Sequence, residues 1–285
     1  MSTPPRLNGL IRALESGKPS FSLFAPCEVE TAIELQASRY DGIVFEGEHR
    51  GWDIKGLRDS MQFLLNRGQI AQDGLAPRVT PTARIPANGV EMNQFLAKQA
   101  LDAGCYGIMF PHISTVEEAY NAVAACRYQR LKDKPLYEPA GIRGDGPMQA
   151  ARYWGVSQQE FYARADVWPL APQGEILVVL QIEDTAGIAN LSDMLANVPG
   201  IGAILIGDGD LSQELGYPRQ TEHKVVLDAM AEIVSICKRH DVIVGHPHVS
   251  AANAERVLAE GYRYLMCAAP RSFATLDRAR ELAGR

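Results

Sequence analysis

The chain has 285 residues and a mass of 31.2 kDa, enough for one large barrel or two modest domains. Hydrophobic residues make up 46% and charged residues 22%, the balance of a soluble protein with a sizeable core, and a formal net charge of -6 leaves no basic footprint for nucleic acid. No apolar run approaches the roughly 20 residues that cross a bilayer, residues 1–18 do not read as a signal peptide, and the five cysteines (Cys27, Cys105, Cys126, Cys237, Cys267) are scattered without Cys-x-x-Cys spacing, which fits reduced thiols in a cytoplasm.

Short apolar, β-branched runs predict strands over 21–25, 42–48, 82–86, 106–111, 176–183, 203–208, 242–245 and 262–267. Longer amphipathic stretches between them predict helices over 91–103, 116–127, 187–196, 225–240 and 251–260. Alternation of this kind means parallel strands joined by crossover helices. Eight strands in one series point to a closed (β/α)8 TIM barrel spanning 1–285 as a single domain; an open doubly wound sheet is the alternative. No Gly-x-Gly-x-x-Gly opens a helix, so the dinucleotide-binding signature is missing. Residues 128–174 break the rhythm with Pro135, Pro139, Pro147, Pro169 and Pro172. In a barrel this segment is expected either over the active-site face, since it follows the fourth strand, or at a contact between subunits.

Barrel chemistry collects at the carboxyl ends of the strands, and polar residues gather there. The second strand runs into Glu46-Gly47-Glu48-His49-Arg50, the third carries Arg84, the fifth ends Gln181-Ile182-Glu183-Asp184, the sixth meets Gly207-Asp208-Gly209-Asp210, and the seventh ends His246-Pro247-His248. Glu183 and Asp210 each follow an apolar strand, where an ionised carboxylate is costly without a cation. They suit a hard divalent metal such as Mg²⁺ or Mn²⁺, or they pair with Arg84 or Arg143, or cap helices. His49 is the natural general base, or a hydrogen-bonded loop histidine. Arg84 offers a permanent bidentate cation for a carboxylate or an enolate, or an ion pair with Glu46 or Glu48. His246 and His248, two residues apart, are candidates for recognising an anionic or hydroxylated aldehyde.

The set Glu46-Gly47-Glu48-His49, Arg84, Pro139-Ala140-Gly141-Ile142-Arg143-Gly144, Gln181-Ile182-Glu183 and Ile206-Gly207-Asp208-Gly209-Asp210-Leu211-Ser212 resembles the class II pyruvate aldolases of the HpcH/HpaI group from about residue 21 to 282. The resemblance implies a divalent metal (Mg²⁺, Mn²⁺ or Co²⁺) on Glu183 and Asp210, and substrate contacts from Gln181, Asp210 and the Gly209 backbone. It implies His49 as proton acceptor and Arg84 as the residue that stabilises the enolate. Asp102 falls where the family has an acid that raises that histidine's basicity; within one barrel it would lie at the end opposite His49, acting indirectly or from a neighbouring subunit, which would suit a homohexamer. The reaction implied is cleavage or formation of a 4-hydroxy-2-oxo acid through a pyruvate enolate, with a small-molecule 2-oxo acid and an aldehyde as the partners. Alternatives are decarboxylation of an oxaloacetate-type 2-oxo acid, cleavage of an acyl-CoA thioester as in citrate-lyase β-type relatives, and a non-catalytic metabolite-binding or scaffold barrel. Departures concentrate on the aldehyde side: Glu46 where the family usually has Asp, Asp208 where it has Pro, and the His246-Pro247-His248 and Ala269-Pro270-Arg271 endings.

Overall fold

A computed structural model describes residues 4–87, 92, 94–267 and 273–285. Ten parallel strands form one sheet: β1 (Ser20–Ser22), β2 (Phe24–Ala25), β3 (Gly42–Glu46), β4 (Thr80–Arg84), β5 (Gly107–Phe110), β6 (Val167–Trp168), β7 (Ile176–Ile182), β8 (Ala203–Ile206), β9 (Ile243–Val249) and β10 (Tyr264–Cys267). Its order is β1-β10-β9-β8-β7-β5-β4-β3-β2, with β6 paired to the start of β7. β1 and β2 are two halves of one stretch interrupted at Leu23. The first half pairs with the last strand and the second with β3, so the ring of eight closes into a TIM-type barrel of parallel strands with helices outside.

Alternation along the strands sorts the core into two layers, because successive side chains point to opposite faces. Val44, Met109, Leu177, Val179, Ala203, Leu205, Ile243, Tyr264 and Met266 pack together inside the barrel with Leu10, Ile11 and Leu14 of the helix Gly9–Glu15. That helix plugs the amino-terminal end: Asn8 caps it and also donates to the Tyr106 and Glu175 carbonyls, while Gly9 N–H donates to Thr80 Oγ1. The remaining core lies between strands and outer helices. The inward parity of Val44, Thr82 and Val179 carries on to Glu46, Arg84 and Gln181. The register that sets Glu46 opposite Arg84 therefore brings these polar groups together at the carboxyl-terminal mouth.

The predicted helices are present as Gln94–Ala103, Val116–Ala125, Thr185–Asn197, Lys224–Arg239 and Ala254–Glu260; residues 91 and 93 of the first prediction, and Ala269-Pro270-Arg271, lie outside the described residues. Residues 128–174 do not take the first of their two expected places, over the active-site face. They hold two helices, Met148–Trp154 and Gln158–Arg164, besides β6, and they do not cover the mouth. The chain has already returned along helix Val116–Ala125, so the segment lies at the amino-terminal end. There Trp154 Nε1 donates to the Gly104 carbonyl at 2.9 Å, the indole stacks on Tyr106, and Arg127 pairs with Asp166. Arg143, also in this segment, is directed at Asp102 rather than at Glu183 or Asp210.

Candidate active site

The strand β3 ends in a loop wound around its own last carboxylate. Glu46 Oε1 accepts the N–H groups of Glu48 (2.7 Å) and His49 (3.2 Å) and the Nε–H of Arg84 (3.2 Å), and Oε2 pairs with Arg84 Nη2. Burial pushes the Glu46 carboxyl up, but Arg84 and the two backbone donors hold it below its ordinary value. Arg84 is only 6% exposed and is fixed on all sides. Its Nη1 donates to Gln181 Oε1 at 3.2 Å and lies 2.8 Å from Glu48 Oε2, while its guanidinium rests 4.4 Å above the Phe24 ring. The ion pairs with Glu46 and Glu48 are thus both made, and they aim one nitrogen into the mouth beside Gln181.

Glu183, one residue past β7, is 2% exposed. Its Oε1 accepts the His112 N–H at 2.6 Å, and its Oε2 accepts from Gln181 Nε2 at 2.6 Å. Burial raises its pKa to about 7; His112 works against that rise, and the charges of Glu48 and Asp210 add to it. Burial likewise raises Glu48, against the pull of Arg84, His49 and His112. Glu48 Oε2 is buried with no well-formed hydrogen bond, although Arg84 stands nearby. Ligand atoms of Glu48, His112 and Glu183 all fall within 4.8 Å of one another. Asp210 stands outside that group. It lies in the first turn of the helix Asp208–Glu214, is exposed, and makes no side-chain bond among the described residues, but its charge reaches Glu183. Converging carboxylates, one with a buried oxygen that has an ion-pair neighbour but no well-formed hydrogen bond, are a donor set that a hard cation would satisfy.

The other expected residues are dispersed. His49 is at the rim, its side chain 65% exposed, with Nε2 3.5 Å from Glu48 Oε2. Gly209 lies beside Asp210 with the guanidinium of Arg219 against it. Asp102 sits at the far end of the barrel, where Oδ1 accepts from Arg143 Nε and Nη2 at 3.2 and 3.0 Å; no contact joins it to His49 within the chain. His246 and His248 do not follow the seventh strand but lie in it, since β9 runs on to Val249. The register against β10 shifts between Leu265 and Cys267, and this irregularity sends the two imidazoles apart. His246 is buried edge-on against Tyr262, on the side of the helix Lys224–Arg239 rather than in the mouth, and that burial pushes its pKa down to about 4. His248 stays at the mouth with Nδ1 2.9 Å from Asp208 Oδ2.

Three contributors were not singled out from the sequence for these roles. His112 follows Pro111 directly after β5 and adopts a left-handed backbone, φ 54°, a conformation rare for a residue with a Cβ; here it aims the N–H at Glu183. A histidine immediately past a strand end was the available signal. Glu48 stands in the mouth rather than in a solvated loop, and Asp208 is buried and bound to His248.

The sequence profile of the HpcH/HpaI aldolase/citrate lyase family matches residues 21–269. The chain belongs to that family. The hydroxypyruvate/pyruvate aldolase of Roseobacter denitrificans is 29% identical over 237 residues, covering 83% of this chain and 79% of that one. A 2-keto-3-deoxy-L-rhamnonate aldolase of Klebsiella pneumoniae is 28% identical over 259 residues, covering 90% and 85%. The crystal structure of a family protein from Burkholderia cenocepacia superposes with a TM-score of 0.76 at 26% identity, covering 96% of this chain and 97% of that one. As a member of this HpcH/HpaI group the chain is an enzyme, a lyase of the aldolase type. No helix among the described residues is long and apolar enough to cross a membrane.

Proposed function

We propose that this HpcH/HpaI barrel cleaves or forms 4-hydroxy-2-oxo acids, releasing pyruvate and an aldehyde, at the mouth formed by Arg84, Gln181, Glu183 and Asp210. The observation that carries the reading is the buried Arg84 guanidinium, held by Glu46 so that Nη1 points beside Gln181 and Glu48. A divalent cation (Mg²⁺, Mn²⁺ or Co²⁺) would be held by Glu183 and Asp210, with Glu48 and His112 adjoining. Once bound, it would polarise the 2-oxo group of the substrate. Gln181 donates to Glu183 and accepts from Arg84, which keeps both in line with a 2-oxo acid lying along the Gly209 backbone. Removal of the 4-hydroxyl proton leaves an alkoxide whose collapse breaks C3–C4. The bonding pair becomes the C2–C3 double bond, and negative charge moves onto the C2 oxygen. Arg84 is preorganised for that charge and need not reorient during the reaction. His49, exposed at the rim, is free to accept the hydroxyl proton.

Asp102, remote from His49 in its own chain, would act on His49 of a neighbouring subunit; its Oδ2 makes no hydrogen bond among the described residues and faces a surface cavity of about 380 Å³. A neighbouring subunit seated there would belong to a homo-oligomer, a cytoplasmic hexamer with its thiols free, built from one barrel per chain over 1–285. The test is exchange of the pyruvate methyl protons for deuterium in D₂O with Mg²⁺, Mn²⁺ or Co²⁺, followed by proton NMR. Exchange that appears with metal and stops with a chelator supports the enolate. A metal-loaded enzyme that does not exchange overturns it and leaves thioester cleavage or binding. Release of CO₂ from oxaloacetate, faster than any aldol cleavage, would make decarboxylation the main activity.

A further inference from the structure

The side of the mouth between β8 and β9 carries a group of residues that the enolate chemistry leaves unused. Asp208 is 2% exposed, and a carboxylate at that depth is costly without a partner. His248 is the partner, at 2.9 Å through Nδ1. The bond fixes the ring. Its side chain remains 64% exposed, and Nε2 has no partner among the described residues. The β9 backbone holds the same residue in place: His248 N–H donates to His246 Nδ1 at 3.1 Å, and its carbonyl accepts from Asn253 Nδ2 at 2.9 Å.

Arg219 arrives from the loop after the helix Asp208–Glu214. Its N–H is tied to Ser212 Oγ at 3.1 Å. Its Nη1 lies 3.5 Å from where a Cβ on Gly209 would stand, and its charge reaches His248. The guanidinium makes no ion pair or hydrogen bond among the described residues, although acidic side chains are close in sequence. An unengaged guanidinium beside Gly209 and a braced imidazole beside Asp208 thus stand at neighbouring residues, across β8 from Glu183 and Gln181.

We propose that Arg219 and His248 recognise an anionic group, carboxylate or phosphate, on the aldehyde half of the substrate, with Asp208 as the residue that positions His248. This rests on the aldolase reading above and names its substrate class. Arg84, Gln181 and Glu183 account for the 2-oxo acid half, so the rest of the substrate extends toward the opposite rim, where Arg219 and His248 stand. The Asp208 carboxylate raises the His248 pKa, which favours a ring with both N–H groups in place; Nε2 then donates to the anion as the guanidinium does.

The experiment compares kcat/KM for aldol addition of pyruvate to matched aldehydes, using the Mg²⁺-loaded full chain. Succinic semialdehyde is set against butanal, and glyceraldehyde 3-phosphate against glyceraldehyde; the first pair reads a carboxylate and the second a phosphate. The wild type should prefer at least one anionic member. Arg219→Glu should lower that anionic-to-neutral ratio by about tenfold or more, with Arg219→Lys retaining much of it, and His248→Gln should lower it severalfold. A loss of overall rate that leaves the ratio unchanged would assign both residues a structural role and overturn the proposal, as would a wild type that prefers both neutral aldehydes. Deuterium exchange into pyruvate, run on the same wild-type preparation without aldehyde, separates the two failures. Exchange with an unchanged ratio sinks the anion site alone, whereas no exchange sinks the aldolase reading and this proposal with it.

Discussion

Gly207 lies so close to Glu183 that a methyl group on its Cα would collide with both Cβ and Oε2 of the carboxylate side chain and stand 2.9 Å from Gln181 Nε2. Its φ of -92° is open to any residue, so glycine is needed here for space. The close approach sets the helix carrying Asp210 against the end of β7, and it does so through backbone alone. Gly207→Ala should therefore fold but displace Glu183. The expected result is a rise in the Kd for Mg²⁺ or Mn²⁺ of about tenfold or more, read by calorimetry on the metal-free protein. Unchanged metal affinity would mean that Glu183 is not a ligand.

Arg84 is the group on which the enolate reading turns. Its replacement by Ala removes the preorganised cation and should slow deuterium exchange into pyruvate by about 10²–10³. It also leaves Glu46 buried without its partner, so a fall in Tm should accompany the loss. Arg84→Lys keeps a charge but cannot span Glu46 and Gln181 together. It should restore part of the stability and little of the rate. A lysine variant with near wild-type exchange would show that a point charge suffices and that the fixed fork has no catalytic part.

The ring of strands was legible because each strand is an apolar run of the right length between amphipathic stretches. The polar mouth was legible because Glu46, Arg84, Gln181 and Glu183 continue that inward parity past the last apolar residue. What escaped was set by contacts that have no period. His112 enters through a left-handed residue after Pro111, which no pattern announces. The two histidines of β9 looked equivalent at i and i+2, and a register shift against β10 separated them. Residues 128–174 could be placed either over the mouth or at a subunit contact because their prolines and glycines mark only irregular chain; which end of the barrel they occupy follows from counting the helix before them.

The buried carboxylate predicts a pH dependence. Burial, with the Glu48 and Asp210 charges adding to it, raises the Glu183 pKa to about 7 in the folded protein, from an ordinary 4.5. The folded state therefore binds this proton more tightly than the unfolded chain does. The stability it lends is full below pH 4.5 and is lost as pH rises through about 7. The cost reaches at most ~3 kcal/mol at alkaline pH. Metal-free protein should show a Tm that falls between pH 5 and 8, and Glu183→Gln should flatten that fall. Added Mg²⁺ should stabilise much more at pH 8 than at pH 5. A metal-free Tm that rises across this window would contradict the assignment.

Asp102 offers the sharpest separation of structure from catalysis. Arg143 beside it is fully buried, stacks 4.5 Å from the Tyr128 ring centre, and leaves Nη1 without a partner. Asp102 Oδ1 is its only carboxylate contact among the described residues. Asp102→Ala strands that guanidinium and should cost about 3–5 kcal/mol, seen as a large drop in Tm. Asp102→Asn still accepts from Arg143, so most of the stability should return. The charge does not return. If Asp102 of a neighbouring subunit raises the basicity of His49, the asparagine variant should move the acidic limb of the kcat/KM profile to lower pH, because an imidazole that loses an anionic neighbour protonates less readily. The same variant then separates two roles: a restored Tm with a displaced limb places Asp102 beside His49 in the assembly, while a restored Tm with an unmoved limb confines it to holding Arg143.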